Sequence, residues 1–402
     1  MSVSDAEMFA RLDVAGQSLL GGFSSLTEAQ RVAIPEILAR RPVLLVSRTA
    51  SGKTEAVLAP LLALLARERW TGAPCILYVA PTRALVNDLW ERISAKTRGF
   101  VEVGRRTGEY RAPGGSTLLL TTPESLDSML VRGWNGGDHV LANVRAVVLD
   151  ELHLVAESAR GTQLQVLLGR LDGRTKVPVL RIGLSATVPL PSALAARFLG
   201  SDAVVCSAPG SRNVEVDGLP LGSLPPRGGD VDPLSSHFLR FAADMHDVHL
   251  AERLLGVRQE MAGQMMKAIV FVPSRARCDA LAGVLGRVLH DRARIEVFAH
   301  HASLDKAHRE RTEEQFKRRD LEAVVVATST LEVGIDIGDI SVVVLDGPPG
   351  SVGSLLQRVG RGNRRTDKVY VLATAHNRVQ AATLASMLRS AIDGDLDPVP
   401  HF

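Results

Sequence analysis

The chain has 402 residues, 46% hydrophobic and 23% charged, with a formal net charge of +3. This length and composition fit two or three globular domains and exclude a disordered or low-complexity chain. The three cysteines (Cys75, Cys206, Cys278) are far apart and give neither a disulfide framework nor metal-ligand spacing. The N-terminus has no apolar core of signal-peptide length and no uninterrupted apolar run reaches membrane-spanning length, so the expectation is a soluble, cytoplasmic protein with no membrane partner.

Residues 1–22 carry a weak amphipathic pattern and are expected to form an N-terminal extension. Phe23 and the segment Leu26 to Gln30 then run into a helix that ends near Pro42. Thr27 with Gln30 three positions on fits a capping box. A glutamine there could equally read an adenine edge, because its amide both donates and accepts. The apolar run Val43 to Val46, the loop Ser47-Arg48-Thr49-Ala50-Ser51-Gly52-Lys53-Thr54 and the helical pattern Glu55 to Ala66 read as strand, phosphate-binding loop (P-loop) and helix. Backbone N–H groups and the helix N-terminus would surround a polyphosphate, Lys53 would reach the β/γ-phosphates, and the Thr54 hydroxyl would hold Mg²⁺. The first glycine of the usual pattern is replaced by Ser47; a glycine-lysine turn before a surface helix is the plainer alternative.

Further strands are expected at 75–80, 117–122, 146–150 and 179–185, with helices at 84–94, 123–131, 161–171 and 191–199. Such alternation of apolar strands and helices predicts an α/β domain over 23–205, a parallel sheet covered on both faces. Residues 207–232, rich in Pro, Gly and Ser, read as a linker with a short strand near Val214–Val216, and a helical segment follows at 233–261. The linker and its connecting helix are assigned 206–262. Strands at 268–272, 294–299, 323–328, 341–345 and 369–373, with helices at 278–289 and 306–317, predict a second α/β domain over 263–375. Residues 376–402 are left as a C-terminal helix and tail.

Asp150-Glu151-Leu152-His153 closes an apolar run, where a parallel sheet places its ligands beyond the carboxyl ends of strands. Asp150 suits a Mg²⁺ site and Glu151 a base for an attacking water. An acid-decorated helix start is the plain alternative. Near the end, Gln357-Arg358-Val359-Gly360-Arg361-Gly362-Asn363-Arg364 spaces arginines between glycines, a pattern suited to arginine fingers on a γ-phosphoryl group and unlike a basic surface helix. Other basic clusters fall at Arg105-Arg106 with Arg111 and at Lys317 to Arg319; the latter reads as a solvated face. His300-His301 with His308 lacks an acidic or cysteine partner at ligand spacing, so a buried or backbone-contacting role is expected over a metal site. Low aromatic content, 4%, argues against base-stacking platforms and for salt-sensitive contacts to phosphate and sugar.

Taken in order, these segments resemble a superfamily-two helicase motor. Gln30 is similar to the Q-motif glutamine, 47–54 to motif I, and Ala80-Pro81-Thr82-Arg83 to motif Ia. The DELH at 150–153 is similar to motif II, Ser185-Ala186-Thr187 to motif III, Phe271 to Arg275 to motif IV, Ala327-Thr328 with Gly334-Ile335-Asp336 to motif V, and 357–364 to motif VI. TTPESL at 121–126, RIGLSATV at 181–188, HHASL at 300–304 and TSTLEVGIDIG at 328–338 are similar to the large helicase-related (Lhr) family. The resemblance implies two tandem RecA-like domains closing over ATP and Mg²⁺. It places Phe23, Gln30, Ser51, Gly52, Lys53, Thr54, Gly334, Asp336 and Arg361 at the nucleotide, and makes Arg361 and Arg364 the fingers. Ser185, Thr187 and Gln357 would couple hydrolysis to movement. Arg83, Thr122, Arg275, His301 and Thr328 would touch nucleic acid.

The implied activity is nucleic-acid-dependent ATP hydrolysis driving translocation on single-stranded DNA, 3′ to 5′. RNA-directed unwinding of short duplexes and an ATP-gated clamp for nucleic acid or a protein partner are the alternatives. Ser47 and Ala50 depart from the usual motif I, and GRGNR from the usual motif VI. The short spacing between Asp336 and Gln357 leaves little room for a strand-separating hairpin, so poor duplex unwinding is expected unless a partner or further domain supplies a wedge.

Overall fold

Uninterrupted aliphatic runs form strands that are buried on both faces, the signature of parallel sheets. In a computed structural model the first seven dozen residues already show this, with β1 (Val43–Ser47) and β2 (Ile76–Val79) buried along their whole length. The strands that follow are β3 (Val103–Arg106), β4 (Leu118–Thr121), the short antiparallel pair β5 (Trp134–Asn135) and β6 (Asp138–His139), β7 (Ala146–Leu149), β8 (Leu180–Ser185) and β9 (Val204–Ala208). Except for the β5–β6 pair they form one seven-stranded parallel sheet, ordered β3-β4-β2-β7-β8-β1-β9. A second sheet contains β10 (Lys267–Phe271), β11 (Glu296–His300), β12 (Ala323–Ala327), β13 (Val342–Asp346) and β14 (Tyr370–Thr374). It is also parallel, ordered β11-β12-β10-β13-β14. The structure describes residues 4–21, 25–47, 51–111, 115–135, 138–156, 158–186, 188, 190–208, 247–261, 265–318, 320–328, 331, 340–362 and 370–393. Its two compact units divide after Gly210.

Helices fall where amphipathic runs follow a polar cap. Thr82 caps Arg83–Lys96, and Thr122, with Pro123 in the first turn, caps Pro123–Arg132. Ser274 and Asp305 cap Arg275–Ala293 and Lys306–Lys317. Each such cap satisfies a backbone N–H and contributes about 1 kcal/mol. The fold class read from the sequence, α/β with two mainly parallel sheets, is the one observed. Among the described residues no helix is long and apolar enough to cross a membrane.

Besides the short β5–β6 pair, two strands escaped the sequence reading. β3, with Gly104 and two arginines, has no apolar run, and β9 leads directly into the Pro/Gly-rich stretch. Both are edge strands of the sheet, where one side lacks a neighbour and a fully apolar pattern is not required. The expected linker therefore starts too early: Cys206 and Ala208 are paired with Leu45 and Ser47 of β1. Val214–Val216 lies outside the described residues, and the helix expected from 233 is described over Asp247–Glu260.

The N-terminal segment forms two helices, Asp5–Arg11 and Asp13–Leu20. Leu12, Leu19 and Leu20 are buried, and Asp5 is held by Arg31 at 2.8 Å and by the Leu26 N–H at 3.0 Å. Gly16 lets the second helix approach Lys53–Arg67 closely, for a Cβ at this position would lie 2.6 Å from the Ala59 carbonyl oxygen. Gly16→Ala is expected to destabilise the first unit by about 1–3 kcal/mol, despite the higher helix propensity of alanine. Urea unfolding followed by circular dichroism checks this; an unchanged midpoint would mean that the helix is not docked there.

Candidate nucleotide site and basic cleft

The strand order explains why distant sequence segments meet. β7, β8 and β1 are consecutive neighbours, with Leu149 opposite Gly183 and Val46 opposite Ser185. Their carboxyl ends therefore bring Asp150-Glu151, Ser185 and the loop after Ser47 together. Helix Lys53–Arg67 begins with Gly52 at φ +79, and no side chain caps it. A helix start left without a side-chain cap offers its first N–H groups to an anion.

Lys53, 7% exposed, connects all three strand ends. Its Nζ donates to the Ser47 carbonyl at 3.1 Å and the Ser185 carbonyl at 3.5 Å, and lies 3.7 Å from Glu151 Oε2. Thr27 Oγ1 donates to the Ser51 carbonyl at 3.0 Å. The capping box at Thr27 and Gln30 is present: Gln30 Oε1 accepts from Thr27 N–H at 2.9 Å. The same buried amide also faces the loop, since a Cβ on Gly52 would lie 2.9 Å from Gln30 Nε2. Capping and nearness to the loop are therefore compatible, and the choice posed by the sequence is not exclusive.

Asp150 is held by Tyr78, whose hydroxyl donates to Oδ2 at 2.9 Å, and its Oδ1 accepts the Glu151 N–H at 2.9 Å. Burial, then the neighbouring Glu151 charge, pushes the Asp150 carboxyl up to about 7. Burial also lifts the Tyr78 phenol well above its ordinary range. Two carboxylates sharing one lysine in a buried setting fit a divalent cation, which would let both ionise. Among the described residues no three metal-ligating side chains cluster. Mg²⁺ needs no such cage, because it is held by one or two carboxylates with phosphates and water. Thr54 Oγ1 accepts from Arg92 Nη2 at 3.3 Å.

His153 joins motif II to motif III. The Ala186 N–H donates to its Nδ1 at 3.1 Å, and Ser185 Oγ lies 3.4 Å away. An Nδ1 that accepts a backbone N–H is unprotonated, and burial lowers the imidazole to about 4. Glu151 Oε2, 3.5 Å from the same nitrogen, therefore faces a neutral ring and not an ion-pair partner. Tyr78, Arg92 and His153 received no role from the sequence. The only hint for Tyr78 was one hydroxyl in an otherwise apolar run.

The other half of the sheet edge is basic. At the ends of β2, β4 and β3 a cleft of about 820 Å³ is lined by Arg83, Arg106, Arg111, Arg132 and Arg160, with Thr122, Glu109 and Glu124. Arg83 is exposed there, whereas Thr122 is buried and its hydroxyl accepts the Ser125 N–H at 3.4 Å. Arg132 and Arg160 were not foreseen, because they come from different helices and share no local cluster.

In the second unit, β11, β12 and β10 are adjacent and end at His301, Thr328 and the segment leading to Arg275. The Thr328 N–H donates to the His300 carbonyl at 3.3 Å, and Arg275 is exposed. His301 is buried with Nε2 3.1 Å from Asp279, and His300 Nε2 is 3.0 Å from Glu313. Acidic partners thus exist, supplied by helices that linear spacing did not reveal. Gln357 and Arg358 lie in helix Val352–Val359 and Arg361 in the turn after it; all three are buried, with the Arg358 guanidinium 5.2 Å from the Phe271 ring centroid. Phe23, Thr187, Gly334, Asp336 and Arg364 lie outside the described residues.

At the end of β13, Asp346 accepts from Arg277 at 2.7 Å, Thr374 at 2.9 Å and faces His376 Nε2 at 3.1 Å; Arg277 also bridges to Asp247 at 2.6 Å. Burial opposes ionisation of Asp346, but the Arg277 bonds win and hold its carboxyl below the ordinary 3.8. A depressed carboxyl stabilises the fold above its unfolded value, and that contribution is lost as pH falls through the folded value. Arg277→Ala should leave the carboxylate buried without its main partner and destabilise the second unit by about 3–5 kcal/mol. Chemical denaturation at pH 7 and pH 3 tests both statements: the wild-type advantage over the variant should shrink at the lower pH.

The sequence matches the DEAD/DEAH box helicase model over residues 27–195 and the helicase conserved C-terminal domain model over 249–366. With the paired parallel sheets, these two helicase models, which together match more than half of the chain, define tandem RecA-like helicase domains, and the chain belongs to the DEAD/DEAH-box helicase family. Within it the similarity is to Lhr proteins. The chain is 32% identical over 408 residues to the ATP-dependent helicase Lhr-Core of Methanothermobacter thermautotrophicus, covering 94% of this chain and 45% of that protein. It is 32% identical over 398 residues to Lhr-Core protein 2 of Thermococcus barophilus, covering 91% and 44%. The solved structure of the Mycobacterium smegmatis helicase Lhr bound to ssDNA and AMP-PNP is similar at a TM-score of 0.75 and 27% identity, covering 98% of this chain and 51% of that one. The chain thus spans about half the length of these relatives.

Proposed function

We propose that the protein is a nucleic-acid-dependent ATPase that moves along single-stranded DNA, 3′ to 5′. The observation that carries this reading is the convergence of Lys53, Asp150, Glu151 and Ser185 on three adjacent strand ends, beside a five-arginine cleft on the same sheet edge. The ssDNA and AMP-PNP bound by the similar mycobacterial Lhr support the choice of ligands; polarity rests on family resemblance.

In this reading the first N–H groups of helix Lys53–Arg67 and the Lys53 ammonium bind the β/γ-phosphates, with Ser51 and Gly52 shaping the loop. Mg²⁺, held by Thr54 and Asp150, would neutralise charge between the phosphates. Glu151 accepts the proton of the attacking water, with the Lys53 ammonium 3.7 Å from its carboxylate. Gln30 presents its amide to the adenine, with Phe23 beside it, and Gly334 and Asp336 serve the ribose side. Arg361, with Arg364, supplies charge to the γ-phosphoryl. Ser185, Thr187, Gln357 and the His153 bridge pass the change in phosphate occupancy to the strands. Arg83, Thr122, Arg275, His301 and Thr328 act on the nucleic-acid backbone. Because Thr122 and His301 are buried, the first does so through the helix it caps, and the second by setting its loop.

The stretch that ends at Arg361 is occupied by β13, the loop 347–351 and helix Val352–Val359. That arrangement supports weak strand separation unless another domain or a partner contributes a wedge.

ATP hydrolysis measured alone, with single-stranded DNA, and with RNA of the same sequence tests the assignment, since only the 2′-OH distinguishes the two backbones. DNA should stimulate more. Lys53→Ala should abolish stimulated hydrolysis. Glu151→Gln should lower it at least ~100-fold, as loss of a general base does, while ATP-dependent DNA binding remains. Equal turnover by Glu151→Gln would refute the proton-acceptor role, and a functional Glu151→Gln protein that only binds would favour a clamp.

A further inference from the structure

The basic cleft carries its own counter-charge. Arg83 extends from the first turn of its helix, and its Nη1 donates to Glu109 Oε1 at 3.2 Å. The guanidinium lies against Gly108, where a Cβ would be 3.1 Å from Nη2. A larger residue at that position would disturb the pair.

Glu109 is held in place by a fastened turn. The Thr107 N–H donates to the Tyr110 carbonyl at 3.0 Å, and the Glu109 N–H donates to Thr107 Oγ1 at 3.2 Å. Below the turn, the Arg105 guanidinium is stacked between the Trp90 and Tyr110 rings, 4.2 and 3.7 Å from their centroids, and donates to Asn87 Oδ1 at 2.9 Å. Arg105 is thus a structural cation, although its neighbour Arg106 lines the cleft. The second acid, Glu124, belongs to a different brace: Arg160 binds it at 2.7 Å and donates to the Pro81 carbonyl at 2.7 Å.

We propose that Glu109 is a built-in competitor for backbone phosphate, holding Arg83 when the cleft is empty and yielding it to nucleic acid. This rests on the nucleic-acid reading of the cleft. The pair suits such an exchange, since the side chains of Arg83 and Glu109 are 60% and 32% exposed, and exposed ion pairs contribute little. A phosphate forms a comparable charge-assisted bond and gains from counterion release. On departure of the strand, the fixed carboxylate recaptures the guanidinium, which speeds release.

The experiment measures binding and dissociation of a fluorescein-labelled oligothymidylate with the wild type, Glu109→Gln, Arg83→Gln and the double variant, at two salt concentrations. Glu109→Gln is expected to bind about three- to five-fold tighter, chiefly through slower dissociation, and the gain should vanish in the Arg83→Gln background. A gain that persists without Arg83 would show general relief of negative charge and overturn the proposal. No gain, or weaker binding, would make Glu109 a mere support for Arg83 and also overturn it. The wild type and all variants failing to bind, with melting curves unchanged, would instead overturn the nucleic-acid reading beneath it.

Discussion

The structure of the first unit depends on one constraint: three parallel strands that are neighbours in space, β7, β8 and β1, must end at the same level. Lys53 shows why this matters. A single ammonium has three donors, and here it meets carbonyls from two of those strands and a carboxylate following the third. A slip of one residue in any pairing would move the corresponding strand end by about 3.3 Å and take its partner out of reach of the ammonium. The buried lysine is thus a consequence of register and also a brace upon it.

The same edge divides by strand. β2 stands between the halves, directing the Tyr78 hydroxyl to Asp150 on one side and leading to Pro81 and Arg83 on the other. His153 plays a comparable joining role, because its unprotonated Nδ1 must accept from the backbone after β8. These are hydrogen bonds in buried surroundings, where geometry is better defined than among exposed charges. Ion pairs dominate the cleft instead, where exposure keeps them exchangeable.

Much of this could be read from the sequence, and the reasons differ by feature. Strands buried on both faces appear as aliphatic runs, which is why β1, β2, β4 and β7 were visible within a residue or two. Asp150, Glu151 and Lys53 were visible because their motifs place chemistry directly after such runs. The edge strands β3 and β9 were not, since polar or glycine residues are tolerated there. Arg132 and Arg160 remained hidden because only the fold brings two helices to one cleft. The acids facing His300 and His301 come from neighbouring helices, so local spacing could not expose them.

Glu151 adopts φ +46 and ψ +47, a left-handed conformation that costs an ordinary L-residue roughly 1–2 kcal/mol. Glycine would relax the main chain at this point but would bring no carboxylate to the lysine. Local conformational preference and chemistry therefore select opposite residues at position 151. A redesign guided only by thermal resistance would be drawn to the very substitution that removes the carboxylate proposed to accept the proton of the attacking water.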